Sequence, residues 1–182
     1  ATARRLGITS KIQLDPSMAL GAVEVSPMEM AQAYAPFSNG GFLAKGYGIE
    51  RIRTASGKVL YDHGMDRSAR RSVIGSPALQ YMNQMMRQVI SGGTGAKARV
   101  AGFDIAGKTG TTSDYRDAWF VGYTGGFVTA VWVGRDDNTP MKGVTGGGAP
   151  AGIWRDFMTA ALPRRKTQAI PGGTLTPPPV AA

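Results

Sequence analysis

The sequence contains no cysteine and a single histidine, His63, among its 182 residues. The absence of cysteine excludes disulfide bridges, cysteine-based zinc sites and thiol nucleophiles. One histidine in a turn-like segment gives little support to a Ser-His-Asp triad and none to a histidine-based metal site. We therefore expect no metal and no cofactor.

Long apolar runs are also missing. The apolar stretches are short and interrupted by glycine, so the sequence predicts no transmembrane helix. The chain begins at Ala1-Thr2-Ala3, without an initiator methionine or a signal peptide, and we expect it to be a truncated or processed part of a longer polypeptide. A composition of 42% hydrophobic and 18% charged residues is typical of a globular protein.

Acidic residues are outnumbered by basic ones, 12 against 21, which gives a formal charge of +9. The basic residues are dispersed, with small clusters at Arg4-Arg5, 67–71 and 164–166. None of these clusters alternates with aromatic residues, as a nucleic-acid surface would. The charge therefore indicates a general attraction to anionic polymers or surfaces, and we expect no nucleic-acid partner.

Apolar periodicity predicts helices in three places. Ser26, Pro27 and Glu29 form a capping box with proline at the first helical position, and the helix that they open should end at Asn39-Gly40-Gly41. A second helix should begin at Ser76-Pro77 and end at Gly92-Gly93. The third covers 151–162, with Ile153, Trp154, Phe157 and Leu162 on its apolar side.

Strand patterns occupy the rest of the chain. We expect a small hairpin from 49–54 and 58–62, and a three-stranded antiparallel sheet from 103–112, 118–123 and 127–133. Gly125-Gly126 is a two-residue hairpin signal between the last two strands. The sequence therefore predicts an α+β fold over residues 1–162, and a Pro/Gly-rich disordered tail over 163–182.

One segment admits two interpretations. Residues 102–109, Gly-Phe-Asp-Ile-Ala-Gly-Lys-Thr, match the consensus of a phosphate-binding P-loop. A P-loop also needs a helix that begins at its Lys-Thr, so that the helix amides face the phosphates. Here the residues before Lys108 alternate like a strand, and the Gly-Thr-Thr-Ser-Asp run after Thr109 is a poor helix start. The sequence therefore argues against a P-loop NTPase.

The other interpretation is Lys108-Thr109-Gly110 near the end of a strand. An ammonium next to threonine hydroxyls can hold a carboxylate by charge-assisted hydrogen bonds. Gly107 and Gly110 would let an extended peptide approach the strand and add to it. Simple alternation places Thr109 and Thr111 on one face and Lys108 on the other, so the lysine side chain would have to curl back to reach the same ligand.

Lys-Thr-Gly is one of the motifs of penicillin-binding proteins and serine β-lactamases. The surrounding sequence resembles class A penicillin-binding proteins, in the same order along the chain. The similar segments are Leu20 to Ala31, Ala33-Tyr34, Ser38 to Gly41, Gly93-Thr94-Gly95 with Ala98, Ala106 to Thr112, Asp117 to Thr124, Trp132 to Gly134 with Asp136-Asp137, and Ala151 to Met158. The resemblance covers about residues 4–162, the C-terminal part of the transpeptidase domain.

The resemblance implies an incomplete penicillin-binding, β-lactamase-like fold, an antiparallel sheet flanked by helices. It implies a D-alanyl-D-alanine transpeptidase that cross-links peptidoglycan stem peptides through a serine acyl-enzyme, and that also binds β-lactams. Lys108 would belong to the catalytic network. Thr109, Gly110 and Thr111 would bind substrate, and the backbone N–H of Thr111 would be an oxyanion-hole donor.

The nucleophile of that family is absent from this sequence. No serine stands three residues before a lysine, and none stands two residues before an asparagine, so both the Ser-x-x-Lys and the Ser-x-Asn motif are missing. We expect them upstream in a longer polypeptide, hypothetically a bifunctional glycosyltransferase–transpeptidase that is anchored to the inner membrane and works in the periplasm. This chain alone should be inactive. The alternative is a β-lactam-binding sensor or a non-catalytic cell-wall-binding module.

Overall fold

The computed structural model describes residues 1–13, 21, 23–65 and 70–173. Its helices and strands are α1 (Thr2–Arg5), α2 (Pro27–Asn39), β1 (Arg51–Arg53), β2 (Val59–Asp62), α3 (Ala78–Ser91), β3 (Ala106–Thr111), β4 (Asp117–Thr124), β5 (Phe127–Gly134) and α4 (Ala149–Ala161). Short 3-10 helices cover 63–65, 96–98 and 162–164. Within the described ranges, no helix is long and apolar enough to cross a membrane. The predicted α+β class is confirmed.

The central sheet is antiparallel in the order β3-β4-β5, and β1 pairs with β2 in a separate hairpin. Gly125-Gly126 forms the predicted two-residue turn, because Thr124 pairs with Phe127 and Gly126 takes a positive φ of 81°. The predicted strands are therefore confirmed, with ends that differ by up to three residues.

Helices cover both faces of this sheet. On one face, the rings of Phe120 (β4) and Trp154 (α4) pack edge to face with centroids 5.2 Å apart, and the Trp154 indole N–H donates to the Thr129 carbonyl at 3.0 Å. On the other face, Phe37 of α2 and Met86 of α3 pack around Tyr123. Each face thus has its own hydrophobic cluster, and β4 lies between them.

The Phe120 ring also contacts two glycines that face each other across β3 and β4, Gly107 and Gly122. A Cβ on Gly107 would lie 2.9 Å from the Phe120 ring, and a Cβ on Gly122 would lie 2.7 Å from it. Only glycine therefore fits at either position with this ring in place.

Asn83 is the polar residue at the centre of the second cluster and is 0% exposed. Its side-chain amide donates to the carbonyls of Phe37 (2.9 Å) and Pro171 (2.8 Å), and its carbonyl accepts from the Tyr123 hydroxyl. One side chain therefore joins α2, α3, β4 and the C-terminal segment, with its polar groups satisfied by the protein.

The prediction of a disordered tail from residue 163 is wrong for residues 163–173. Gln168 forms a bridge with Gly125 at the β4–β5 turn, Ile170 is 1% exposed, and the Arg87 guanidinium donates to the Ile170 carbonyl at 3.2 Å. This segment is part of the folded body because its apolar side chain and its carbonyls find partners there. Residues 174–182 lie outside the described residues.

The apolar side predicted for α4 is correct in part. Trp154 and Leu162 are buried, but Ile153 and Phe157 are each 50% exposed, and Met158 is buried in their place. The buried side runs through Ala151, Trp154, Met158 and Leu162, so only one side of the predicted apolar stripe is covered by the described residues.

The predicted capping box of α2 is present and has a second role. The Glu29 carboxylate accepts from the Ser26 N–H, and it also accepts from the backbone N–H groups of Thr9 (2.7 Å) and Ser10 (2.8 Å). It thus ties the N-terminal segment to the start of α2. Hydrogen bonds from the Ser10 side chain and backbone, with those from Ser26 and Thr9, hold the pKa of Glu29 well below its usual range.

The charge of Glu29 should make stability depend on pH. Because the folded-state pKa is depressed, the stabilisation is complete above the unfolded pKa of about 4.3 and is lost as pH falls below it. Glu29→Gln should therefore lower the unfolding temperature clearly at pH 7, and the difference from wild type should narrow at pH 3. Glu24→Gln, which changes an exposed carboxylate just before the helix, is the control and should have little effect at either pH. An equal deficit of Glu29→Gln at both pH values would contradict the prediction.

Candidate active site

The Lys-Thr-Gly residues lie on β3, which is an edge strand of the central sheet in the described part of the chain. No helix begins at Lys108, because the strand runs on to Thr111, so the P-loop interpretation is wrong. Asp104, inside the P-loop match, accepts two hydrogen bonds from Arg87 of α3 at 2.8 and 2.7 Å. This pair holds the entry to β3 against α3 instead of leaving it as a phosphate-binding turn.

The hydrogen-bond phase of β3 directs part of its backbone outward. In an antiparallel pair, alternate residues turn their N–H and C=O groups toward the neighbouring strand. The Thr112 N–H donates to the Asp117 carbonyl at 3.0 Å, so residue 112 faces β4 with its backbone groups. Its neighbour Thr111, opposite Ala118, is therefore at a position that is not hydrogen-bonded to β4. Thr109 and Thr111 consequently point their N–H and C=O groups away from β4, toward the open edge.

The side chains of β3 alternate as the sequence predicts. Thr109 pairs with Phe120 and Thr111 with Ala118, so both threonines share the α4 face of the sheet, while Lys108 starts on the opposite face. The Lys108 ammonium bends to the edge, where it donates to the Thr109 carbonyl at 2.9 Å. It therefore lies beside the strand backbone and outside the walls of the cleft that contains the two threonines.

That cleft has a volume of about 440 Å³. Its walls are hydroxyl groups, glycine backbone and one cation, and the residues that line it are Thr94, Lys97, Thr109, Thr111, Thr145, Gly147 and Gly148. None of these lining residues is acidic. A cleft with this lining favours an anionic ligand, because its hydroxyls can donate hydrogen bonds and Lys97 supplies positive charge.

Each threonine of β3 is held by a residue from elsewhere in the chain. The Thr109 hydroxyl lies 2.7 Å from that of Thr94, which follows α3. The Thr111 hydroxyl accepts a hydrogen bond from the Gly146 N–H at 3.0 Å. Gly146 belongs to the loop that leads from β5 to α4, so the site is assembled from three separate stretches of sequence.

The loop 145–148 must come very close to the strand backbone. A Cβ on Gly146 would overlap the carbonyl oxygens of Trp119 and Gly110, and a Cβ on Gly147 would overlap the carbonyl of Thr94. The run of glycines before α4 is therefore a requirement of packing as well as of the turn.

The sequence predicts Lys108, Thr109, Gly110 and Thr111 as site residues. It gives no role to Thr94, Lys97, Thr145 or the loop glycines. The available signal is the glycine content of 93–95 and 146–148, since closely spaced glycines often mark backbone that approaches another element. That signal does not identify the partner element.

Two tyrosines under the sheet, the partly buried Tyr34 and the buried Tyr123, do not supply an acid or base at neutral pH. Burial raises the pKa of Tyr34 to about 12, and burial also raises the pKa of Tyr123 well above its usual range. Both phenols therefore stay protonated, and Tyr123 uses its hydroxyl to bond Asn83.

Comparison with known proteins identifies the class of this fold. Residues 7–159 match the family model of the penicillin-binding protein transpeptidase domain. The chain therefore belongs to the penicillin-binding protein transpeptidase-domain family, and the predicted resemblance is confirmed.

Relatives of known name agree with that assignment. The chain is 37% identical over 159 residues to penicillin-binding protein 1A of Aquifex aeolicus, covering 84% of this chain and 22% of that protein. It is 34% identical over 179 residues to penicillin-binding protein 1B of Vibrio cholerae, covering 97% of this chain and 22% of that protein. The chain thus spans about a fifth of the length of these relatives.

A solved structure matches the fold closely. The PonA1 protein of Mycobacterium tuberculosis in complex with penicillin V superposes with a TM-score of 0.83 at 26% identity, covering 98% of this chain and 54% of that one. The predicted fold, an antiparallel sheet flanked by helices as part of a transpeptidase domain, is confirmed.

The close approach of Gly146 can be tested by substitution. Gly146→Ala should force the 145–148 loop away from β3 and break the hydrogen bond to Thr111, with a loss of about 1–3 kcal/mol in the free energy of unfolding. Gly152→Ala is the matched control, because Gly152 lies on α4 with open space around it, and it should be neutral or stabilise by up to about 1 kcal/mol. Denaturant unfolding of both variants measures the difference. Equal stability of the two variants would show that the loop does not constrain residue 146.

Proposed function

We propose that this chain supplies the substrate-holding strand of a D-alanyl-D-alanine transpeptidase, and that the serine nucleophile comes from another part of the same polypeptide. The observation that carries the proposal is the pair of threonine hydroxyls, Thr109 and Thr111, on one face of an edge strand and in a cleft without carboxylates. Because the chain belongs to the transpeptidase family, we assign to these hydroxyls the binding of a substrate carboxylate.

The ligand would be an extended peptide that ends in a carboxylate, or a β-lactam with a carboxylate in the equivalent place. The outward N–H and C=O groups of Thr109 and Thr111 can pair with such a peptide as an added strand. The threonine hydroxyls would donate to its carboxylate. Lys108 would contribute positive charge at the same edge, in the polar network around the nucleophile.

The reaction would proceed in two acyl transfers. The serine oxygen attacks the carbonyl between the two terminal D-alanines, and the terminal D-alanine leaves with its nitrogen protonated. The amine of a neighbouring stem peptide then attacks the resulting ester, and the proton that it loses returns to the serine oxygen. In both steps the N–H of Thr111 would stabilise the negative charge on the carbonyl oxygen, an effect of about 3 kcal/mol in comparable sites. Its outward direction supports this role.

For the whole protein we propose a longer chain of the kind that its relatives have. The missing Ser-x-x-Lys and Ser-x-Asn motifs would lie upstream, with a glycosyltransferase region and a membrane anchor before them. Its partners would be peptidoglycan stem peptides and β-lactams, and its location the outer side of the inner membrane. The domain would include the packed segment 163–173.

Labelling with fluorescent penicillin tests the proposal. The full-length polypeptide should form one covalent adduct, and peptide mapping should place it on a serine upstream of Ala1. Pretreatment with unlabelled penicillin is the control and should abolish the label. A non-covalent sensor or cell-wall-binding module would give no adduct, and that result would reject the transpeptidase proposal.

The isolated 182-residue chain should behave differently. Because it has no serine in a Ser-x-x-Lys motif, it should form no adduct with penicillin, as measured by intact mass. A stoichiometric adduct on this chain alone would contradict this prediction.

A further inference from the structure

Thr94 lies outside the Lys-Thr-Gly strand, and its hydroxyl forms a hydrogen bond with the Thr109 hydroxyl of that strand. It follows α3 in the chain, lines the cleft, and places its Oγ1 2.7 Å from the Thr109 Oγ1. Either oxygen can be the donor in this bond. The identity of the donor decides whether the Thr109 hydroxyl offers a ligand its hydrogen or only its lone pairs.

The backbone around Thr94 is held on several sides. A Cβ on Gly93 would lie 2.9 Å from the Val89 Cα, and a Cβ on Gly95 would lie 3.0 Å from the Phe120 ring. From the opposite direction, Gly147 packs against the Thr94 carbonyl. The backbone at Thr94 thus packs between α3, the sheet core and the 145–148 loop, and this packing places its hydroxyl beside that of Thr109.

A threonine hydroxyl has a single hydrogen and two acceptor lone pairs. Thr111 accepts the Gly146 N–H, and among the described residues nothing accepts its own hydrogen, so that hydrogen is available to a ligand. Thr109 can be in the same state only if Thr94 is the donor between them. If Thr109 gave its hydrogen to Thr94, it would meet a carboxylate with lone pairs alone, which is unfavourable.

We infer that Thr94 is a positioning residue that donates its hydroxyl hydrogen to Thr109 and thereby directs the Thr109 hydrogen at the ligand's carboxylate. The inference rests on the proposed function, which assigns that carboxylate to the two threonines. A negative acceptor on Thr109 also favours this donor order, because hydrogen bonds in a chain polarise one another. Thr94 and Gly146 then play equivalent roles, because each occupies the acceptor side of one ligand-binding hydroxyl.

The test measures acylation rates of the full-length polypeptide with benzylpenicillin and with its methyl ester, which lacks the negative charge. Thr94→Val should lower the second-order rate for benzylpenicillin about tenfold, through weaker binding more than through slower chemistry. The rate for the ester should change less than about twofold. Thr94→Ser, which keeps the hydroxyl, should stay near wild type. Thr94→Ala replaces the valine variant if valine prevents folding.

A second arm uses Thr109. In a Thr109→Val background, Thr94→Val should cause no further loss, because its only effect is transmitted through the Thr109 hydroxyl. Thr159→Val is the control for loss of a threonine hydroxyl, since Thr159 is exposed on α4 and donates to the Arg155 carbonyl.

The outcomes distinguish the role of Thr94 from the proposed function. Equal losses with the acid and the ester, additive losses in the double variant, or no loss in Thr94→Val would each overturn the role of Thr94 and leave the proposed function standing. Failure of the wild-type polypeptide to form an adduct would overturn the proposed function, and the inference with it.

Discussion

The register of β3 against β4 is the constraint on which the site depends. It is fixed where the Phe120 ring lies over the facing pair Gly107 and Gly122, since a side chain at either position would collide with the ring. A slip of one residue would exchange the two faces of β3 and carry both threonines away from the cleft. The core contact of one aromatic ring thus decides which atoms the edge of the sheet presents.

The Phe120 ring also supports the two elements that hold the hydroxyls of Thr109 and Thr111. Trp154 packs on Phe120 and belongs to α4, which follows the 145–148 loop that holds Thr111. Gly95 also lies against Phe120, and it adjoins Thr94, which holds Thr109. The two hydroxyl partners of the strand are therefore positioned by elements that pack on the same ring. This shared support explains how residues distant in sequence reach one small cleft.

Much of the fold could be predicted from sequence because its signals are local. The capping box at Ser26 and Glu29, the Gly125-Gly126 turn and the alternation before Lys108 each act within a few residues, and each led to the correct element. The Lys-Thr-Gly strand was separated from a P-loop on the same basis.

The missed features depend on contacts between distant residues. Asn83 is one of several polar residues in the amphipathic helix α3, and nothing near it in the sequence indicates that its partners are Phe37 and Pro171. Likewise, the sequence around Ile170 is typical of a disordered tail. The surface that buries Ile170 belongs to α2, α3 and β4, which are distant in the sequence, so nothing local reveals the burial. The partners of Thr109 and Thr111 were missed for the same reason, since periodicity carries no information about which loop returns to a strand.

The open edge of β3 exposes the protein in solution to aggregation. A strand that leaves backbone groups unpaired can join a strand of another copy as readily as a peptide ligand, which promotes aggregation. Lysine on an edge strand is a common defence, because a second strand would have to bury its charge. Lys108, with its ammonium on the Thr109 carbonyl, occupies that position here. One side chain can thus oppose self-association at the edge where the proposed peptide ligand would pair.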